Sequence, residues 1–486
     1  MNQETEAYDP YALPKSAIVE PPTTLWESLK QIGPGIILAG TIVGSGELIL
    51  TTAIGAKYGF VFLWLILFSC VIKVFVQIEL GRYAISSGQP TLGALKRIST
   101  IGSIGSALLV WWGVMTFFTV FQLGGMMGGV SQSLKMAMPG ATDRLAQNVG
   151  SVSSGFGEYL QARPELIWAV LICIITIAIL YGGGYRRIEG LTTVLVVGLT
   201  LVTVVATVSL FFTLYAPAWD AIVDGLKLKI PSEGIADAFA VFGITGVGAT
   251  ELFYYPYWCL EKGYARYTGV NDGTPEWQRR AQGWIRIMKL DAWISMVVFT
   301  LSTVAFYAMG AAVLHPQGLV PQGSKMIVTL AEMYKAPFGA WTEVFFLIAA
   351  GVVLFKTLYL ACAANSRMTV DFMALFDWIS VRTAEHRARL VRRLCIAFPV
   401  FALTLYIVKQ DPQLMVRMGG LAQAATLPMI ASATLYFRYR KVDTKLQPGW
   451  LTDVCLWVAW LAIMVVAAYS IPDSFSKMLA ALKVGS

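Results

Sequence analysis

The sequence predicts an all-α polytopic membrane protein, about eleven helices arranged as an inverted repeat of five plus five with one helix appended. Three observations point there. Long apolar runs fill the chain, basic residues gather in alternate loops, and two near-identical motifs interrupt two of the runs. Those motifs are VGSGEL at Val43 to Leu48 and VGATEL at Val247 to Leu252, 204 positions apart.

The 486 residues are 56% hydrophobic and 14% charged, with a mean hydropathy of +0.64. A soluble domain carries about 25% charge, so the apolar excess belongs to segments that meet lipid. A helix needs about 20 apolar residues to cross the hydrocarbon core. On that criterion eleven spans are expected, at 33–56, 58–84, 104–134, 165–183, 190–215, 235–260, 284–312, 339–370, 391–408, 414–437 and 450–471. Residues 1–32 are polar and acidic, without the apolar core of a signal peptide, and are expected to form a cytoplasmic tail with a short amphipathic stretch near Leu25 to Ile32.

Charge placement predicts the orientation. With the N-terminus inside, the inner loops hold 20 basic residues, among them Arg186, Arg187, Arg279, Arg280, Arg392 and Arg393. The outer loops hold roughly half as many, so the positive-inside rule places the N-terminus in the cytoplasm and the C-terminus outside. The net charge of +8 is thereby assigned to the inner membrane face, and no nucleic-acid partner is expected. The six cysteines lie in or beside apolar segments without paired spacing and read as small buried hydrophobes. The two histidines, His315 and His386, fall in expected loops, which excludes a histidine-rich metal centre. No cofactor is expected. No nucleophile–base pair stands out, so an enzyme is not expected either.

The first span runs inward to outward and the sixth, five crossings later, the other way. The matched motifs therefore have opposite orientations, as in an inverted repeat. The expected units are 33–216 and 235–437, with 450–471 appended. Gly44, Ser45 and Gly46 are poor helix formers in tandem, and Gly246 and Gly248, with Pro256 beyond them, repeat the pattern. Such residues also serve close helix packing. The matched acids Glu47 and Glu251 favour a site, because a carboxylate at membrane depth is costly and faces a cavity or a partner.

At these residues the chain resembles the Nramp family of divalent-metal transporters. The shared features are Gly33-Pro34-Gly35, the broken first helix, the KYGF segment at Lys57 to Phe60, and Gln77, Arg82 and Gly88. Gly248-Ala249-Thr250, Ala349 to Gly351 and the pair Leu427-Pro428 extend the likeness along the chain. The resemblance implies a LeuT-like fold and alternating access. The family's Asp-Pro-Gly-Asn motif is here Gly44, Ser45, Gly46 and Glu47, and its metal-binding Met and His are Leu252 and Tyr254. The chain thus resembles a divergent branch without the usual metal-binding motifs. Thioether sulfur favours softer transition metals. Two carboxylates in its place suit a hard cation such as magnesium or manganese, and they equally suit an organic cation or a shared proton.

Substrate-lining candidates are Gly44, Ser45, Glu47, Gly248, Ala249, Glu251, Tyr254, Lys356, Gln423 and Thr426, with Glu47 and Glu251 as the metal ligands. The third span has no acid, and Glu79 is either a substitute proton carrier or the partner of Arg82. Lys73 and Lys356 are buried lysines of coupling or structural role. Lys356 is open to three readings: it repels metal, pairs with Glu47, Glu251 or Glu343, or holds an anionic group. Tyr254, Tyr255, Tyr257 and Trp258 suit either an organic cation or core packing. The expected function is secondary transport of a hard divalent cation through the bilayer. The alternative is an organic cation or amino acid on the same scaffold.

Overall fold

The computed structural model describes residues 10–98, 104–150, 158–159, 161–182, 185–229, 231, 234, 237, 241–243, 245–321 and 326–484. Among them helices dominate and no strand occurs. In lipid every backbone polar group must be satisfied within the chain, and helices do this locally.

The first span is broken. Helix α1 (Pro34–Ile42) starts with proline in its first turn, and its free N–H groups are taken by a distant carboxylate: Gly33 and Gly35 donate to Asp291 Oδ1 and Oδ2 at 2.9 and 2.6 Å. It stops at Val43, and α2 (Gly46–Tyr58) continues after a bend of 42°. The first turn of α2, Gly46–Thr51, is a π-helix, a form that marks inserted residues and functional sites. Helices α3 (Leu63–Ser87), α4 (Ile104–Ala137), α5 (Glu165–Tyr181) and α6 (Tyr185–Ser209) follow. Gly88 closes α3 in the left-handed conformation that glycine tolerates.

The second break lies in the sixth span. In its first part residues 235, 236, 238–240 and 244 lie outside the described residues. Gly246 has φ of +67°, and a Cβ there would meet the Cys70 backbone of α3 at 2.9 Å, so both conformation and space require glycine. Gly248 is extended, and α7 (Ala249–Lys262) starts after it. Pro256 does not take part in this break, contrary to expectation. It lies inside α7, which continues to Lys262 with one backbone bond fewer.

Helix α8 (Pro275–Met309) begins nine residues before the expected span. Its first turns are polar outside and bury Trp277, Ala281 and Trp284 inside, and Thr274 caps them through the N–H of Trp277. A hydropathy threshold sees only the apolar remainder of such a helix. After α8 come a π turn at Gly310–Leu314, α9 (Trp341–Leu375), α10 (Ala384–Val408), α11 (Pro412–Arg440) and α12 (Trp450–Val484). His386 sits in the first turn of α10 rather than in a loop, with its N–H capped by Thr383.

Among the described residues eight helices are long and apolar enough to cross a membrane, the bent pair α1–α2 adds a ninth, and α5 is a shorter apolar helix of 17 residues. Of the expected sixth span, α7 forms the second part. The burial of the helices separates core from rim. The apolar windows of α3, α8 and α9 are 72%, 67% and 67% buried, against 22% for α6 and α10 and 28% for α12. The second group presents Val194, Leu201, Val400 and Leu461 outward, as lipid-facing helices do. The long α4 packs between α9 and α11, and α1 lies against α8 and α6. The two breaks are thereby placed at the centre, where α4, α9 and α11 converge on them.

Candidate functional site

Both breaks open on one small cavity of about 40 Å³. Its wall includes Ser45, Gly46 and Glu47 from the first break, and Gly246, Thr250, Glu251 and Tyr254 from the second. Gln122 and Met126 of α4, Asn365 of α9 and Gln423 of α11 also line it. The cavity is far below the roughly 300 Å³ at which drug-sized ligand pockets begin. It has room for a metal ion with a little water.

Glu47 is 1% exposed. Its Oε2 accepts from the Gly44 N–H at 3.4 Å, a group freed by the break, while Oε1 is buried without a hydrogen-bond partner. A buried carboxylate oxygen without a donor is costly, and it lies on the wall of a polar cavity, where a cation would satisfy it. Glu251 belongs to a continuous polar chain. The Gln122 amide donates to Ser45 Oγ at 3.4 Å, the Gln423 amide donates to Gln122 Oε1 at 2.9 Å, and the Thr250 hydroxyl lies 2.7 Å from Gln423 Oε1 and 2.8 Å from Glu251 Oε2. One hydroxyl carries one proton and cannot donate to both. With the amides so placed, a protonated Glu251 donates to Thr250, which donates to Gln423. Turning both amides over supplies Thr250 with a donor and lets it donate to an ionised Glu251. The chain accommodates either form of the acid.

The glycines do two jobs. A Cβ on Gly44 would lie 2.2 Å from Thr357 Oγ1 of α9, so this position serves close packing as well as the break. Gly248 has φ −78° and ψ 177°, open to any residue, yet its Cβ would lie 2.6 Å from both Glu251 Oε2 and Gln423 Oε1. Ala249 is buried as the first residue of α7 and is not part of the wall.

Other expected residues face elsewhere. Thr426 accepts from Trp111 Nε1 at 3.1 Å and donates to Ala422 O. Within the aromatic cluster, Tyr254 alone lines the cavity, with its hydroxyl on Asn365 Oδ1 at 3.1 Å. Tyr255 bonds Asp291 and the Met288 carbonyl, Tyr257 packs edge-on against Tyr11, and Trp258 lies under Arg367. Glu79 pairs with Arg82 at 3.0 Å and with Arg438 at 3.8 Å, all three buried and away from the cavity. Lys73 and Lys356 bond backbone carbonyls, not carboxylates, and Glu343 pairs with Lys335 instead.

Gln122, Asn365 and Met126 were not singled out from the sequence. The first two carried a signal, as amide side chains inside apolar spans. Met126 carried none, since a methionine in an apolar run is ordinary. Among the described residues no cluster of three or more His, Cys, Asp or Glu exists, so any metal here would be held by two carboxylates and neutral donors.

A sequence model of the Nramp family, described as natural resistance-associated macrophage protein-like, matches residues 35–473. The chain belongs to the Nramp family. The likeness of this Nramp protein to solved structures is one of fold. It is similar to the manganese transporter of Eremococcus coleocola in complex with an aromatic bis-isothiourea compound, at a TM-score of 0.63 and 15% identity, covering 94% of this chain and 90% of that one. MhsT in complex with L-phenylalanine follows at 0.51 and 18%, covering 93% and 100%. Mhp1, a nucleobase-cation-symport-1 transporter, follows at 0.54 and 11%, covering 97% and 96%. No curated protein matches the chain by sequence. The fold is therefore LeuT-like, and the protein is a multi-pass membrane protein of a transporter family.

Proposed function

We propose that this Nramp protein moves a hard divalent cation, magnesium or manganese, by alternating access, with Glu47 and Glu251 as its anionic ligands. The observation that carries the reading is the unpartnered Glu47 Oε1 on the wall of a small cavity shared with Glu251. The neutral donors beside them are the oxygens of Ser45, Thr250, Gln122, Asn365 and Gln423, a set that suits hard cations. Family membership and the fold shared with a manganese transporter support a metal cargo. The cavity volume weighs against an organic cation or amino acid. Among the described residues Met126 contributes the one thioether of the wall, at a different place from the family's motif methionine, which is Leu252 here.

The same reading assigns residues 33–216 and 235–437 as inverted repeats with 450–471 appended, the N-terminus in the cytoplasm and the C-terminus outside. The gathering of 20 basic residues in alternate loops supports that orientation. The test is uptake of Mg²⁺ and Mn²⁺ into proteoliposomes by the wild type and by Glu47→Gln and Glu251→Gln. Removing one carboxylate is expected to lower uptake at least tenfold with the fold intact. No flux of either ion in the wild type, with no binding by calorimetry, overturns the reading. A thermal shift with an amine or amino acid and with no metal turns it toward the alternative.

A further inference from the structure

The two buried lysines share an arrangement that the cation site does not use. Lys356 of α9 is 0% exposed, and its Nζ donates to Gly40 O at 2.8 Å and to Val43 O at 2.5 Å. Those carbonyls lie three residues apart at the C-terminal end of α1, where the break removes their helical partners. Thr357 Oγ1 lies 3.4 Å from the same Gly40 carbonyl. Lys73 of α3 is likewise 0% exposed, and its Nζ donates to Phe242 O and, at 2.7 Å, to Thr245 O. This is again a carbonyl pair three residues apart, just before the second break. Ser69 Oγ reaches both carbonyls at 3.0 and 3.1 Å, and the Phe242 ring lies 4.8 Å from the ammonium.

Half-helix C-terminal ends carry partial negative charge, and unwound carbonyls at membrane depth coordinate small cations. Each cage has a pair of carbonyls suited to a monovalent ion, with a neighbouring hydroxyl hydrogen-bonded to them, and each contains an ammonium covalently held by the chain. The lysines come from the second and eighth spans, which are not counterparts in a five-plus-five repeat, so the shared element is the carbonyl pair. An ammonium left without such acceptors would cost a few kcal/mol at membrane depth. Glu47 and Glu251 supply two negative charges against the two positive ones, so the centre is neutral with all four ionised.

We infer that Lys73 and Lys356 are tethered cations occupying two carbonyl sites at the half-helix ends, so that the protein binds no sodium-like ion there and works without one. Shortening either side chain turns its cage into a monovalent-cation site. This goes beyond the identity of the cargo, and a melting readout needs no flux, so it fails or stands separately from the divalent-cation reading.

The experiment is the melting temperature of purified wild type, Lys356→Ala and Lys73→Ala in NaCl, KCl and choline chloride at equal ionic strength, with ²²Na⁺ binding alongside. The wild type is expected to melt alike in all three salts and to bind no ²²Na⁺. Each alanine variant is expected to melt lower in choline chloride and to regain roughly 2–5 °C in NaCl, with saturable ²²Na⁺ binding. Sodium binding or sodium-dependent melting of the wild type overturns the inference, and that result needs no variant. Lys356→Met and Lys73→Met keep the bulk and fill the cage, so they should stay low in every salt. Alanine variants that respond to sodium no more than the methionine variants also overturn it.

Discussion

Gly248→Ala separates the geometry of the site from the stability of the fold. The backbone at this position is extended, with φ −78° and ψ 177°, so alanine introduces no conformational strain. The added methyl would lie 2.6 Å from Glu251 Oε2 and 2.6 Å from Gln423 Oε1, whereas ordinary contact begins at 3.4 Å. Both side-chain ends must therefore retreat by about 0.8 Å, the difference between these distances, at an overpacking cost of about 1 kcal/mol because the moving atoms are side-chain tips. Thr250 sits 2.8 and 2.7 Å from the same two oxygens, so the displacement breaks the polar chain at its centre. Misplacement of a ligand by about 1 Å can lower a rate by around 100-fold. Mg²⁺ or Mn²⁺ uptake into proteoliposomes is expected to fall 10- to 100-fold while the melting temperature drops by only a few degrees. Gly248→Ala protein that transports within twofold of wild type would show that Glu251 and Gln423 do not hold the ion, and the assignment of the site would be lost.

Further outcomes follow from the same contacts. Glu79→Gln leaves Arg82 and Arg438 without the carboxylate they share. A broken buried pair costs about 3–5 kcal/mol, and the lower end applies because Arg438 keeps Asp453 at 2.7 Å. Melting should fall accordingly, while uptake per folded molecule and its pH profile stay unchanged; an altered pH profile would give Glu79 a role in coupling. Asp291→Asn weakens the cap on α1, at about 1–2 kcal/mol, and amide exchange at Ile36 to Leu38 should accelerate. Met126→Leu is expected to leave the ratio of Cd²⁺ to Mg²⁺ uptake unchanged, since oxygen donors dominate the wall. A selective loss of Cd²⁺ uptake would place the thioether among the ligands.

The sequence by itself determined the class of the molecule and the location of its centre. Long apolar runs leave a chain in lipid only helices to form. The echo of VGSGEL in VGATEL marked both breaks, because glycine in tandem weakens a helix and an acid in lipid needs a cavity or a partner. The end of α7 was less legible. Pro256 looks like part of the break and is not, since packing at membrane depth tolerates one missing backbone bond. The polar start of α8 escaped hydropathy, which cannot see turns that bury Trp277 and Trp284 against other helices.

Only the tertiary structure decided which polar groups meet. Gln122, Gln423 and Thr250 are separated by 301 and 173 residues along the chain and join in one hydrogen-bond chain. Thr426, three residues past Gln423, turns to Trp111 instead. From the sequence Lys356 is open to repelling metal, pairing with a carboxylate or holding an anionic group, and its acceptors are carbonyls that exist as free groups only because α1 stops at Val43. Side-chain periodicity is local and foretells a helix and its apolar face. The direction of a buried polar group depends on acceptors that another helix brings, and that is settled when the helices pack.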